Sequence, residues 1–258
     1  MYKNVSGSSN TTLGYSSLYN NTTGFLNTVV GANSMLNNTS GYFTIAFGND
    51  ALRNNTVAAQ NIAVGIGALL NQSFSGAGNF ESNNVAVGHL ALTTLNQTLS
   101  SNGIANVAVG NNAMGNVATG TENTAVGFNA FFGSAASGSR NVAVGSNVLF
   151  NAGIGSDNVA VGYNAMRNNA VDFTTAVGSN ALFSNTTGYN NNAFGYRALR
   201  ANTSGFYNAA FGNYALMPIP TRFRKRRLWS TLSHCQHYRY CQCRDWQFCP
   251  LQLHLGSK

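Results

Sequence analysis

A chain of 258 residues is long enough to bury one sizeable core or two smaller ones. Charged side chains make up 8% of it and proline only 3 residues, against 28 glycines, which excludes a Pro-rich linker or a collagen and falls well below the roughly 25% charge of an ordinary soluble domain. The net charge of +8 is unevenly placed: residues 1–221 carry six basic and five acidic side chains, and residues 222–258 carry eight and one, so the polyanion-binding inference from a basic total concerns the tail alone.

The N-terminus, "MYKNVSGSSNTTLGYSSL", places no apolar stretch behind Lys3, so no signal peptide is read there. The repeat described below begins almost at once, and further sequence is expected upstream. No apolar run reaches the length of a membrane span. Up to residue 217 there is no cysteine, tryptophan or proline, so no disulfide framework is available.

From there the chain is one motif of the form N-x-A-V-G, used twelve times. Its glycines are Gly14, Gly31, Gly48, Gly65, Gly88, Gly110, Gly127, Gly145, Gly162, Gly178, Gly195 and Gly212. Successive spacings are 17, 17, 17, 23, 22, 17, 18, 17, 16, 17 and 17 residues. The residue before each glycine is apolar in all twelve copies, the residue two before is Ala in ten, and the residue four before is Asn in ten. Four residues after the glycine stands another apolar side chain, such as Leu52, Met114, Phe131 or Leu216. Asn-rich corners such as "NNTTG" (20–24) and "SNTTG" (184–188) complete the unit.

A unit of this length is too short for a helix pair or a propeller blade. Short helices in "NALFSN"-like segments are excluded by length and by the Asn and Gly content. The unit fits one coil of a β-solenoid, with two or three short strands joined at corners where Gly and Asn accept a left-handed backbone. The predicted fold is therefore all-β, a parallel β-roll over residues 1–217 with about 17 residues per coil and about twelve coils. Stacking at about 4.8 Å sets like residues above like, giving an internal apolar column, Asn ladders and a rod on the order of 55 Å long.

The two long intervals lie on adjacent coils, around "SFSGAGNFESN" (73–83) and "TTLNQTLSSNG" (93–103). Insertions in solenoids map to loops on one face, often the binding face. They single out Phe74, Asn79, Phe80, Glu81, Asn96 and Gln97 as candidate ligand contacts. Of the acids, Glu122 and Asp157 share one register two coils apart, roughly 9–10 Å of stacking and close to the carboxylate separation of inverting glycosidases. Arg140 occupies that register between them, so a surface Glu–Arg–Asp ladder is the plainer expectation. His89 is read as a turn residue, and Tyr15, Phe128, Tyr163 and Tyr196, each following its glycine, as solvated or interface positions with a glycan-contacting surface as the alternative. No cofactor or metal site is expected.

The stretches "NVAVGSNVLFNAG" (141–153), "NVAVGYNAMRNN" (158–169) and "TTAVGSNALFSNTTG" (174–188) carry a resemblance to the head repeats of YadA-like trimeric autotransporter adhesins and to phage tail-fibre-type repeats. It covers residues 4–216, with a repeat longer than that of the adhesin heads and no stalk, membrane anchor or C-terminal chaperone. The resemblance implies a parallel β-roll, commonly a homotrimer, in an extracellular fibre of a cell surface or virion.

The tail, 218–258, is basic and holds all four cysteines and both tryptophans. Trp229 lies 17 residues after Gly212, and Trp246 lies 17 after Trp229. Tryptophan has the single codon TGG, and one nucleotide later that codon reads GGN, always glycine. Both tryptophans thus become glycines on the repeat register. With suitable codons, "RFRKRRLWS" (222–230) becomes Gly-Ser-Glu-Asn-Val-Ala-Phe-Gly, to compare with "GTENTAVG" (120–127) and "GSRNVAVG" (138–145). A one-base frameshift is therefore expected near codon 221, with the residues beyond it unstructured; resequencing across the codons for Pro220 to Phe223 tests it. The rival zinc reading needs paired ligands, and Cys241 and Cys243 are one residue too close for C-x-x-C. "RFRKRR" with nearby aromatics is a weak nucleic-acid signal, and no nucleic-acid partner is expected.

Together these observations predict a non-enzymatic structural and adhesive fibre segment, with a host-surface or matrix glycan or protein as receptor. Two alternatives are a polysaccharide-degrading fibre and an ice-binding solenoid, whose mark would be a flat Thr ladder on one side; the threonines here gather at corners.

Overall fold

A computed structural model describes residues 2–74, 78, 80–97, 102–133, 137–151, 153 and 155–217. The tail from Pro218 and the candidate Asn79 lie outside the described residues. The described chain is an all-β solenoid. Twelve three-residue strands, from Thr11–Leu13 to Ala209–Phe211, form a single parallel sheet in chain order. Pairing keeps the repeat register, as in Ala108↔Ala125 and Phe194↔Phe211. The two long intervals leave it intact, with Ile62 opposite Val85 and Val85 opposite Val107. A regular coil has one strand rather than the two or three expected; turns make the rest of its circuit.

Each of the twelve strands is followed directly by its motif glycine, whose φ lies between 114° and 144°. A Cβ on the first eleven of these glycines would stand 2.3–2.9 Å from the carbonyl oxygen of the next glycine in the stack. The backbones are in contact there, so the register accepts no side chain. Four residues on, the large apolar side chain turns inward on a left-handed backbone, with φ between 46° and 53° from Leu18 to Leu216. That conformation costs about 1–2 kcal/mol in a non-glycine residue. Burying a Leu, Met or Phe contributes about 1.5–3 kcal/mol, which offsets the strain in the coils from Leu18 to Leu199, where this side chain is buried.

Three inward columns build the core: the Ala two before the glycine, the mostly Ala position three after it, and the Leu/Met/Phe position four after it. Beside them runs a buried amide spine. Asn106 Oδ1 accepts the Asn123 backbone N–H at 3.0 Å, Asn123 Oδ1 accepts that of Asn141 at 2.9 Å, and Asn141 Oδ1 that of Asn158 at 3.0 Å. Each amide nitrogen also donates to a corner carbonyl, such as Gly120 for Asn106 and Gly138 for Asn123. A second column, Asn21–Asn38–Asn55, is linked side chain to side chain at 2.8 and 2.9 Å. It stops where the next coil supplies Gln72, whose amide turns to Ser82 at 2.8 Å. Asn55 Oδ1 is left buried at that break without a partner among the described residues.

Length variation is absorbed at one corner. The short coil between Gly162 and Gly178 keeps strand and spine, and Val171 takes the carbonyl role that glycine has elsewhere, accepting from Asn158 and Asn169 at 2.8 and 2.9 Å. Flanking each inward Ala, the first and last strand residues face out. Apolar side chains therefore line the outer surface of the sheet, among them Ile45, Phe47, Ile62, Val126, Val142, Val144, Val159 and Phe211.

Candidate functional site

Both insertions leave the solenoid at that corner, and the structure stacks them. Ser73–Phe74 pairs in parallel with Asn96–Gln97, and Ala58–Ala59 with Phe80–Glu81. The candidates Phe74 and Gln97 therefore stand opposite each other, as do Asn96 and Ser73. Phe80 and Glu81 extend a second short ladder over Ala58 and Ala59.

That second ladder continues a register the insertions alone did not reveal. Phe25 and Tyr42 stack in it at 5.0 Å, their ring planes nearly parallel, and Phe43 packs edge-on against both at 5.4 and 5.2 Å. Ala59 follows at the next level, and its small side chain leaves Tyr42 room to reach past it. The Tyr42 hydroxyl donates to Glu81 Oε1 at 3.5 Å. Burial first, then the charge of Glu81 and its hydrogen bond, hold the Tyr42 phenol above its usual pKa. The site is thus an aromatic cluster with a carboxylate at its edge, suited to apolar contact with one fixed acceptor. Phe25, Tyr42 and Phe43 were readable as aromatics recurring in "GFLN" and "GYFT", but only coil stacking joins them to Glu81. Replacing Glu81 with Gln is expected to lower the Tyr42 pKa without restoring it fully to 10.0, because burial remains. NMR titration of ring-labelled tyrosine reads this directly.

The other carboxylates sit elsewhere. Arg140 grips Asp157 with two bonds, Nε to Oδ1 at 2.7 Å and Nη2 to Oδ2 at 2.8 Å, and the charge of Glu122 also acts on Arg140. The hydrogen bond from Arg140 is the main reason the Asp157 carboxyl titrates below its ordinary 3.8. A depressed carboxyl contributes stability that is full above its unfolded pKa and lost as pH falls through the folded one. Asp157 therefore holds its contribution above about pH 4 and surrenders it in stronger acid. Arg140→Gln is expected to return the Asp157 pKa toward 3.8 and to remove that increment of acid dependence, read by NMR titration and acid unfolding.

His89 is exposed in its turn, where its backbone N–H donates to Asn111 Oδ1 at 3.3 Å. Tyr15, Phe128 and Tyr163 are exposed, and Tyr196 packs edge-on against Tyr214 at 5.2 Å. Corner threonines are tied into the stack: Thr22, Thr39 and Thr186 hydroxyls donate to the carbonyls of Thr39, Thr56 and Thr203 at 2.9–3.0 Å. Among the described residues no three His, Cys, Asp or Glu side chains gather as a metal site, and no helix is long and apolar enough to cross a membrane. Comparison with protein-family models, curated proteins and solved structures found no match to this chain.

Proposed function

We propose that the chain is a segment of a structural and adhesive fibre of a cell surface or virion, assembled as a homotrimer, with the insertion corner turned toward a glycan or protein receptor. The supporting observation is the outer surface of the sheet, where the row before the glycines is apolar throughout and the other outward row is apolar from Ile45 to Val159 except at Thr124. Twelve strands at about 4.8 Å make a strip on the order of 500 Å², at the upper end of what a monomer leaves uncovered. Three copies related by an axis along the rod bury their strips against one another and keep all chains parallel, so the fibre continues in one direction. A heterologous, sliding contact is disfavoured because the strip widens locally at Phe47, Phe194 and Phe211. The insertion corner lies off the strands and stays free in such a trimer.

Sedimentation equilibrium of the full chain tests the assembly. Three times the chain mass is expected, with dissociation on Val144→Asp combined with Phe194→Asp. A single-chain mass at micromolar concentration overturns the trimer.

A further inference from the structure

One column of side chains takes no part in the sheet strip or the insertion corner. Five residues after the glycine, successive coils present Phe132, Phe150, Arg167, Phe183 and Arg200. The Phe132 and Phe150 rings stack at 5.5 Å. The Arg167 guanidinium lies 5.0 Å from the Phe150 centroid and 5.8 Å from that of Phe183, and Arg200 lies 5.5 Å from Phe183. Three residues before Arg200, Arg197 is held 4.9 Å from Tyr196 and 5.8 Å from Tyr214. Three guanidiniums are thus fixed against aromatic rings within three coils.

None of the three has an acidic partner among the described residues. The ion pairs among the described residues are Arg53–Asp50 and Arg140–Asp157. Of the nearby acids, Asp157 is gripped by Arg140 and Asp172 accepts the Ser156 backbone N–H at 2.6 Å. The Nε atoms of Arg197 and Arg200 are buried with no hydrogen-bond partner. A stacked guanidinium keeps its N–H donors in its own plane, free of the rings that hold it, and that planar fork matches a carboxylate bidentately.

We propose that Arg167, Arg197 and Arg200 form a binding track for a linear polyuronate, an acidic polysaccharide whose carboxylates follow the rod axis. Arg167 and Arg200 stand two coils apart on the track, about 10 Å, so anionic groups recurring along a glycan engage both. Phe150 lies between Phe132 and Arg167, and Phe183 between Arg167 and Arg200, so neither ring offers a face for a nucleobase to stack on, which favours a glycan over a nucleic acid. This assignment is independent of the oligomeric state.

Binding of polygalacturonate oligosaccharides to the full chain by isothermal titration calorimetry tests the proposal. Arg167→Met/Arg197→Met/Arg200→Met removes charge while keeping an apolar chain against the rings. It is expected to weaken binding by roughly 30-fold or more, and the three Lys replacements, which restore charge without the fork, to recover only part of it. Arg140→Gln, and Arg224→Gln/Arg226→Gln/Arg227→Gln in the tail, are expected to change affinity by less than about threefold. Circular dichroism confirms folding; if the Met variant unfolds, the Lys variant carries the comparison. The proposal is overturned if the Met variant binds as the parent does, if the tail variant accounts for the loss, or if a sulfated glycan or single-stranded DNA binds where polygalacturonate does not.

Discussion

Replacing Gly127 with Ala is expected to destabilise the solenoid by on the order of 4 kcal/mol or more, in the range that marks a steric fault rather than a lost contact. The backbone at Gly127 has φ 133°, and an added Cβ meets the Gly145 carbonyl oxygen at 2.4 Å and its carbon at 2.7 Å. Both obstacles are backbone, so no side-chain rotation relieves them, and moving the next coil away breaks sheet pairing between Thr124–Val126 and Val142–Val144. In a repeat protein the damage spreads only through neighbours, so hydrogen exchange is expected to rise on both flanking coils before the distant ends respond. Gly78→Ala is the control. Its φ of 90° is also unusual, but among the described residues nothing lies within 4 Å of the added carbon, and a loss of about 1–2 kcal/mol is expected. Denaturant unfolding of both variants measures the difference, and equal losses would show that contact between glycines is not what fixes the register.

The buried amide spine should yield the second large effect. Asn123→Leu keeps the number and branching of the side-chain heavy atoms but removes the acceptor of the Asn141 backbone N–H and the donor to the Gly138 carbonyl, at 2.9 Å each. Asn141 is fully buried, so its N–H finds no water in exchange. An unsatisfied buried group costs about 1–3 kcal/mol, and with two stranded a loss of about 3 kcal/mol is expected in thermal or denaturant unfolding. Asn123→Thr should cost less, because Thr44 and Thr174 occupy the same register and their hydroxyls donate to the corner carbonyls of Tyr42 and Asp172 at 3.1 Å each. If Leu proves as harmless as Thr, the spine is not a source of stability.

Much of this was legible because a period of 17 residues samples each register many times. The glycine column, the amide spine and the inward apolar position four residues after the glycine can each be read from twelve copies of the motif. Local chemistry was less legible. Gly and Asn were expected to carry the left-handed corners, yet Leu52, Met114 and Phe131 adopt that conformation too, at φ 51–53°, because burial repays what the backbone loses. The residue before each glycine is apolar in all twelve copies, yet alternation along the strand gives the inward place to Ala and turns Val144 or Phe47 outward. At the insertion corner, loop length located Phe80 and Glu81. Tyr42, 39 residues before Glu81 in sequence, joined them only when coils were superposed in space.

The orientation of the sheet has a mechanical consequence. Hydrogen bonds between strands run along the rod, so tension between the two ends acts on them directly and on the outermost coil first. The bonds of one layer share the force, but layers yield in sequence, and each coil released frees about 55 Å of chain. Under tension the rod would therefore lengthen in nearly equal steps, with two longer ones from the 23- and 22-residue intervals, and its force–extension curve should be a sawtooth whose teeth count the repeats.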